Sequence, residues 1–217
     1  MNKCNLCPRK CGVKRSDAQI GYCGMSDEIK IGRAALHFWE EPPISGKNGS
    51  GTVFFSGCNL KCVFCQNHNL SKGDAGKAIS VERLAQIFIE LQEQGAHNIN
   101  LVTPTHYTLQ IIEALKIAKQ QGLNLPVVYN CSGYESVETL KLLEGYVQIY
   151  LPDFKYYSEE QFLRVVELHG ADKLLFGSDS PWSRADEEIE ILKSMPLDSS
   201  QKEKIFHLNA EKLLGLK

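Results

Sequence analysis

The sequence predicts an α/β fold, namely an incomplete (β/α) TIM-like barrel with a cysteine-rich N-terminal extension. From Gly51 onward, short β-rich runs alternate with amphipathic helical stretches, which is the pattern of βα units around a parallel sheet or barrel. Five such strands can be recognised, whereas a closed barrel of this type needs eight. The first 50 residues differ from the rest, because they are rich in cysteine and poor in hydrophobic periodicity.

The elements follow from local signals. The strands are expected over Thr52–Phe55, Asn98–Val102, Pro126–Tyr129, Val147–Leu151 and Lys173–Phe176. Ser80 is the expected N-cap of the first long helix, whose apolar residues Leu84, Ile87, Phe88 and Leu91 have helical spacing before Gly95. Later helices are expected over Thr108–Gln121, Val137–Glu144, Ser158–His169, Asp186–Lys193 and Gln201–Leu214, with capping boxes at Ser158 and at Ser200 with Glu203.

We expect three segments, and the boundary near residue 157 is implied by resemblance to known families. Residues 1–50 form the cysteine-rich extension, residues 51–157 the partial barrel, and residues 158–217 a βα tail that completes or covers the sheet. We expect the extension to fold around a metal or against the main domain.

Composition limits the class of protein. Apolar residues make up 43% of the 217 residues and charged residues 23%, with a net charge of -2. This balance is typical of a globular protein, and it predicts no nucleic-acid partner. The apolar runs are too short for a membrane segment, and the N-terminus lacks a secretory signal. We therefore expect a cytoplasmic protein, in which clustered cysteines bind metal more often than they form disulfides.

Three cysteines follow the first expected strand. Cys58, Cys62 and Cys65 are separated by three and then two residues. Three thiolates on one loop can bind three irons of a [4Fe-4S] cluster and leave the fourth iron open. That iron can chelate the amino and carboxylate groups of S-adenosylmethionine, whose reductive cleavage the cluster then supports. The alternatives are a zinc site that takes a fourth ligand such as His68, and three buried cysteines without a metal.

A second set of cysteines lies in the extension. Cys4, Cys7, Cys11 and Cys23 are four soft ligands, which suit tetrahedral zinc or an auxiliary iron-sulfur cluster. The sequence does not separate these two, and free thiols in a disordered tail are the remaining alternative. Cys131 is solitary, and we interpret it as a core residue.

The loop from Ser56 to Cys65, with Phe64 just before its last cysteine, resembles the signature loop of the radical S-adenosylmethionine (radical SAM) superfamily. Further runs are similar to the pyruvate formate-lyase activating-enzyme-like branch, over about residues 1–157. They are Arg33–Pro42, Ile44–Cys65, Asn98–His106, Tyr129–Glu135 and Ile149–Lys155. The resemblance implies a radical SAM oxidoreductase that binds cofactor at Phe64. It also implies an electron donor such as flavodoxin or ferredoxin, and a glycyl-radical-type protein as substrate.

Polar residues follow the second and third expected strands, where an α/β fold builds its ligand site. Thr103, Thr105 and His106 can donate hydrogen bonds to the cofactor or cap the next helix. Here the sequence departs from the glycine-rich acidic motif that many activating enzymes carry. Asn130 and Ser132 are candidates for the cofactor's ribose and carboxylate, and a turn through Gly133 is the alternative.

Asp153 and Lys155 follow the fourth expected strand, and in an extended backbone their spacing places both side chains on one face. The resemblance implies that both are catalytic and that Asp153 also contacts the cofactor, whereas a surface ion pair is the alternative. His37, Trp39 and Glu40 are placed at the edge of this site.

The resemblance ends near Ser158. The run Ala171–Trp182 and the following helices resemble the C-terminal end of metal-dependent amidohydrolases, in which the aspartate here numbered Asp179 contacts the catalytic metal. No His-x-His pair occurs in the chain, so the hydrolytic site is incomplete. The chain therefore resembles a chimera of two barrel families. A hydrolase remnant centred on Asp179 and an inactive iron-sulfur or zinc-binding protein are the alternatives to a radical enzyme.

Overall fold

The computed structural model describes residues 3–62, 65–153, 159–177 and 184–215, and shows a mixed α/β fold around one open sheet. Its strands are β1 (Ile29–His37), β2 (Ser50–Phe55), β3 (Lys77–Ile79), β4 (Ile99–Val102), β5 (Val127–Cys131) and β6 (Ile149–Pro152). Their order is β3-β1-β2-β4-β5-β6. Strands β2, β4, β5 and β6 are parallel, whereas β1 is antiparallel to β2 and β3. Within the described ranges the sheet does not close into a barrel.

The helices connect and cover these strands. They are α1 (Pro42–Ser45), α2 (His68–Lys72), α3 (Val81–Glu93), α4 (Thr108–Gln120), α5 (Val137–Leu142), α6 (Glu159–His169), α7 (Ala185–Ser194), α8 (Ser199–Glu203) and α9 (Asn209–Leu214). A π-helical stretch, Lys204–Leu208, joins α8 to α9. None of the described helices combines the length and the apolar character that a membrane crossing requires.

Helices α3 and α4 cover what we call the outer face of the sheet. Ser80 caps α3 as predicted, since its hydroxyl accepts a hydrogen bond from the Arg83 N–H at 3.1 Å. Leu84 and Phe88 of α3 are fully buried in the same core as Leu101 of β4. The predicted helical spacing is confirmed here because its apolar stripe matches the face that packs on the sheet.

The opposite, inner face of the sheet carries a smaller apolar cluster. Val128, Ile149 and Leu151 of the two last strands pack with Ile44 of α1. Leu213 of α9 joins this cluster, so the C-terminal end of the chain packs on the inner face. The parallel strands are largely buried on both faces, and the inner face also carries the polar side chains of Asn100 and Asn130.

Strands β1 and β3 were not predicted. β1 is the longest strand, and it pairs with β2 along its length, although it lies within the segment assigned to the extension. Apart from the buried Ile29, its residues are half-buried or exposed with no clean alternation, and its register shifts between Ile31 and Arg33. A side chain at Gly32 would meet Leu70, since an added Cβ would lie 2.1 Å from a Leu70 methyl carbon. A strand of this kind leaves little hydrophobic periodicity in the sequence.

The predicted fifth strand, Lys173–Phe176, is wrong. Residues Ala171–Lys173 form a 3-10 turn, and the region makes a single parallel bridge, Tyr150 with Leu174. The remaining backbone groups pair elsewhere. The Asn209 side-chain amide donates to the carbonyls of Ala171 and Leu174, and the Phe176 N–H donates to the Ile205 carbonyl.

The two predicted capping boxes, at Ser158 and at Ser200, have different outcomes. The capping box of the last helical region is formed by Asp198 and Gln201, not by Ser200 and Glu203. Asp198 offers a carboxylate to the N-terminal N–H groups, which favours it over the serine two residues later. Ser158 lies outside the described residues, so its predicted capping box stays a prediction.

Candidate functional site

A cavity of about 490 Å³ opens where the parallel strands β2, β4, β5 and β6 end. Its wall includes polar and thiol side chains from the C-terminal ends of these strands and from the segments that follow them, namely Cys58, Asn59, Cys62, Cys65, Gln66, Asn67, Ser71, Thr103, Thr105, Asn130, Cys131, Ser132 and Asp153. Because parallel strands bring their carboxyl ends to one edge of a sheet, residues as far apart in sequence as Phe54 and Asp153 meet here. This cavity is the candidate functional site.

The three cysteines of the loop after β2 lie in the wall of this cavity. Cys58, Cys62 and Cys65 are partly exposed and free of disulfides. The Leu60 N–H donates a hydrogen bond to the Cys58 sulfur at 3.3 Å, and the Cys65 N–H donates to the Cys62 carbonyl at 3.2 Å.

The donor set of this loop fits an iron-sulfur cluster in its chemistry. Three accessible thiols share one cavity wall, and a backbone N–H contacts one of their sulfurs, as is typical of cluster ligands. In the described part of the chain, however, no three cysteine, histidine or acidic side chains are already gathered around one metal position.

Thr103 begins the loop after β4 in a left-handed backbone conformation, with a φ of 57°. Such a conformation is uncommon for a β-branched residue and is found most often at functional sites. The Thr103 N–H donates to the Asn130 carbonyl at 2.9 Å, which links the ends of β4 and β5. Both residues lie in the cavity wall, as does Ser132.

Thr105 and Glu135 form a polar pair beside the cavity. The Thr105 hydroxyl donates to a Glu135 carboxylate oxygen at 2.8 Å. Burial raises the pKa of Glu135, although hydrogen bonds from Thr105 and Cys131 oppose the shift. Burial also raises the pKa of the Cys131 thiol, well above its ordinary value. Cys131 is therefore a protonated thiol, and it is both a buried residue and part of the cavity wall.

His106 does not line the cavity, unlike its neighbour Thr105. Its Nε2 lies 2.7 Å from the Ser56 carbonyl, to which it donates, and its backbone carbonyl accepts from the buried Arg15 guanidinium. Burial lowers the pKa of His106 to about 3, so the ring is neutral near pH 7. The contacts of His106 connect the loops after β2 and β4 and do not point to a ligand.

Glu40 was placed only at the edge of the site by sequence, yet it contacts the inner face of the sheet. One carboxylate oxygen accepts hydrogen bonds from the side-chain amides of Asn100 at 2.9 Å and Asn130 at 3.0 Å. Its neighbour Trp39 is 90% exposed, and the His37 ring packs edge-on against Phe54. No local signal in the sequence relates Glu40 to an asparagine 90 positions away.

The cysteines of the extension lie directly behind the three-cysteine loop. The Cys23 carbonyl accepts a hydrogen bond from the Cys58 N–H at 3.1 Å, and Arg9 donates to the Asn59 carbonyl at 3.0 Å. Burial raises the pKa of Cys7 and Cys23, and the neighbouring thiols Cys4 and Cys11 raise both further. Cys4 and Cys11 therefore lie within electrostatic range of both Cys7 and Cys23.

Several predicted residues lie outside the described ranges. They are Phe64, Lys155 and Asp179. Asp153 is described and lies in the cavity wall.

Two protein-family models match the chain. The model of the radical SAM superfamily matches residues 52–175, and the model of the amidohydrolase family matches residues 139–216. The two matches overlap between residues 139 and 175. The activating-enzyme-like branch is not distinguished by these matches.

The curated relatives are uncharacterized proteins of Methanocaldococcus jannaschii. One is 34% identical over 166 residues, which is 72% of this chain and 46% of the relative. Another is 24% identical over 158 residues, which is 65% of this chain and 46% of the relative. The chain thus spans about half the length of the curated relatives that it matches.

Among solved structures, the chain is similar to 2,6-dihydroxybenzoate decarboxylase in complex with 2,6-dihydroxybenzoate and to the same enzyme from Rhizobium. Both comparisons have a TM-score of 0.47, at 11% and 10% identity, and cover 67% of this chain and 59% of the other.

Proposed function

Because this chain belongs to the radical SAM superfamily, we propose that Cys58, Cys62 and Cys65 bind a [4Fe-4S] cluster and that the adjoining cavity binds S-adenosylmethionine. Superfamily membership supports an enzyme. One observation carries the proposal: the three thiols of the loop share a single cavity with the polar residues that end β4, β5 and β6. When bound, the cluster would supply the electron that cleaves the cofactor and starts hydrogen abstraction.

The protein's own residues would orient the cofactor and exclude water. Thr103, Asn130 and Ser132 offer hydrogen bonds at the ends of β4 and β5, and Thr105 is held by Glu135. Asp153 lies at the end of β6, where a carboxylate suits the recognition of an ammonium or hydroxyl group. We propose Asp153 and Lys155 as the catalytic pair and Phe64 as a cofactor contact, on the resemblance alone.

We propose the activity, the electron donor and the substrate of this enzyme on the same resemblance. An activating-enzyme-like oxidoreductase would take its electron from a flavodoxin or ferredoxin and would act on a glycyl-radical-type protein. We propose a reducing cytoplasm as the location of the protein, because its clustered cysteines suit metal binding better than disulfides. The boundaries near residues 50 and 157 stay predictions.

We also propose that Cys4, Cys7, Cys11 and Cys23 hold a second metal, either zinc or an iron-sulfur cluster. The mutual interaction of their thiols supports this, and so does their position behind the loop at Cys58. A metal at this position would fix the extension against the loop, because a site of four thiolates contributes its binding energy to folding.

A hydrolase centred on Asp179 is the second candidate, and the amidohydrolase match over residues 139–216 favours it. The chain lacks a His-x-His pair. Hydrolysis that survives replacement of Cys58 by alanine would support this candidate.

The test of the first proposal is anaerobic reconstitution of the full chain with iron and sulfide. We expect a brown protein for the wild type, and at least a tenfold lower content of loop-bound iron for the combined variant Cys58→Ala, Cys62→Ala and Cys65→Ala. Cys131→Ala removes a thiol from the same cavity wall and serves as the matched control, with iron content unchanged. Equal iron in the wild type and the triple variant would contradict the proposal.

Separate counts of iron, sulfide and zinc decide the identity of the second metal. Replacing Cys4 and Cys7 by alanine would lower zinc if the N-terminal site is a zinc site, and would lower iron and sulfide together if it holds a cluster. A variant with unchanged metal content would contradict a metal at these cysteines.

A further inference from the structure

The inner face of the sheet carries a polar group just below the cavity. Asn100 of β4 pairs in register with Val128, and Val102 pairs with Asn130, so Asn100 and Asn130 lie on the same face of neighbouring strands. Both asparagine amides donate to the same oxygen of Glu40. Asn130 lines the cavity, whereas Glu40 and Asn100 do not.

Glu40 is fastened in this position by its own segment. The Ser45 hydroxyl donates to the Glu40 backbone carbonyl at 2.9 Å, and the Asn98 amide donates to the Ile44 carbonyl at 2.7 Å. The residues between β1 and β2 therefore cross the inner face of the sheet as a strap, and the Glu40 carboxylate enters between two strands.

The Glu40 carboxylate determines the orientation of the side-chain amides of Asn100 and Asn130. Both hydrogen bonds are accepted by one carboxylate oxygen of Glu40, so each asparagine turns its NH₂ group toward Glu40. For Asn100 this orientation has a cost, because its carbonyl oxygen Oδ1 is then buried and has no hydrogen-bond partner among the described residues. A buried polar atom left without a partner disfavours folding and calls for an explanation outside stability.

We infer that Glu40 is a positioning residue for Asn130: by holding the Asn130 NH₂, it leaves the Oδ1 of Asn130 as the acceptor that faces the cavity. An acceptor held in this way selects a ligand that offers a hydrogen-bond donor. This inference rests on the proposed function, and it commits to a ribose hydroxyl of the adenosyl group as that donor. The orientation of the amide, and not only the presence of Asn130, then determines affinity.

The experiment uses the reconstituted full chain and S-adenosylhomocysteine, a probe that is not cleaved, together with its 2′-deoxy and 3′-deoxy analogues. Binding constants are measured by calorimetry for the wild type and for Glu40→Ala. We expect one of the two deoxy analogues to bind the wild type about 5- to 10-fold more weakly than the parent probe, which is the range for one lost hydrogen bond. Glu40→Ala should bind the parent probe more weakly by a similar factor.

The decisive measurement is whether the affinity of Glu40→Ala for the probe still depends on the ribose hydroxyl. In Glu40→Ala the amide of Asn130 is free to turn, so the same deoxy analogue should bind as well as the parent probe. A general distortion of the cavity would instead weaken the parent probe and the analogue by the same factor and preserve the difference between them. That result would overturn the inference.

Exchanging the hydrogen-bond acceptor at position 40 with the donor at position 130 gives a second test. Asn130→Asp places two carboxylates together and should weaken binding, whereas the double variant Glu40→Gln with Asn130→Asp restores a donor opposite an acceptor. The double variant should recover binding of the parent probe to within about threefold of the wild type, since an oxygen again faces the cavity. Failure to recover, in a variant whose circular dichroism matches the wild type, would contradict the inference. Glu93→Ala, which removes an exposed carboxylate at the end of α3, is the control and should bind as the wild type does.

The binding measurements distinguish a failure of the inference about Glu40 from a failure of the proposed function. A wild type that binds S-adenosylhomocysteine but loses no affinity with either deoxy analogue overturns the role of Glu40 and leaves the proposed function standing. A reconstituted wild type that does not bind S-adenosylhomocysteine at all overturns both.

Discussion

The sheet region, residues 29–153, and the tail, residues 159–215, are held together in different ways. In the sheet region each strand pairs with its neighbours, and the loops after four parallel strands meet at one cavity. Among its described residues, the tail makes one strand-like bridge, at Leu174, and the side chain of Asn209 donates hydrogen bonds to the carbonyls of Ala171 and Leu174. Each residue found to line the cavity lies at or before Asp153. The described tail therefore covers the sheet without building its site.

The core of the sheet region should show the largest effect of a single substitution. Leu101 of β4 is fully buried, so Leu101→Ala leaves a cavity between the strand and its helices. We expect the free energy of unfolding to fall by about 2–5 kcal/mol in urea denaturation. Leu214→Ala, at a half-exposed position of the tail, should change it by less than about 0.5 kcal/mol. Equal effects at the two positions would contradict the contrast between the regions.

Acid should weaken the sheet region through His106. Burial lowers the pKa of His106 to about 3, whereas an unfolded histidine titrates near 6.5. The unfolded chain thus binds the extra proton first. The contribution of His106 to stability is fully present above about pH 6.5 and is lost progressively as the pH falls toward 3.

The total loss attributed to His106 is on the order of a few kcal/mol. His169 of the tail, whose pKa burial lowers to about 4, titrates in the same range. The measurement is therefore the difference between the wild type and His106→Gln in free energy of unfolding from pH 7 to pH 4. Glutamine keeps a donor for the Ser56 carbonyl and should flatten the profile, and a profile equally steep in the variant would exclude His106 as its cause.

Asn209 should stabilise the tail locally. Asn209→Ala removes the donor to two carbonyls, each at 2.7 Å, and we expect a cost of about 1–3 kcal/mol. Hydrogen exchange at the Phe176 N–H, which donates to Ile205, should become faster, while amides of β4 and β5 keep their protection. The exposed Glu203→Ala is the control, and faster exchange throughout the sheet would show that the two regions unfold together.

Helix caps should give the smallest effects, and similar ones in both regions. Ser80→Ala removes the cap of α3, and Asp198→Ala removes the capping box of α8. Each should lower the free energy of unfolding by about 1 kcal/mol in thermal or urea denaturation. A much larger effect of Asp198→Ala would mean that the tail depends on this cap more than its packing indicates.

The sequence predicted features that depend on neighbouring residues and missed those that depend on residues far away along the chain. Helix α3 was predicted with its cap and its apolar stripe, because both are local signals. Strand β1 was missed because its half-exposed residues carry no clean period. Lys173–Phe176 has the composition of a strand, but tertiary partners at Ile205 and Asn209 take its backbone groups.

The same distinction holds for the residues of the candidate site. The cysteines of the loop and the residues that end the strands were identified from motif and topology. The positions of Glu135 and Glu40 follow from contacts with Thr105 and Asn130, which are 30 and 90 positions away. His106, adjacent to Thr105 in sequence, faces Ser56 instead of the cavity.

The central claim is that one cavity holds both the cluster and S-adenosylmethionine. The most direct measurement is the electron paramagnetic resonance spectrum of the reconstituted, chemically reduced full chain, with and without S-adenosylmethionine. A cofactor that binds next to Cys58, Cys62 and Cys65 should change the spectrum of a [4Fe-4S] cluster in the wild type and in Cys131→Ala. A cluster spectrum identical with and without the cofactor, or a colourless protein that contains only zinc, would contradict the claim.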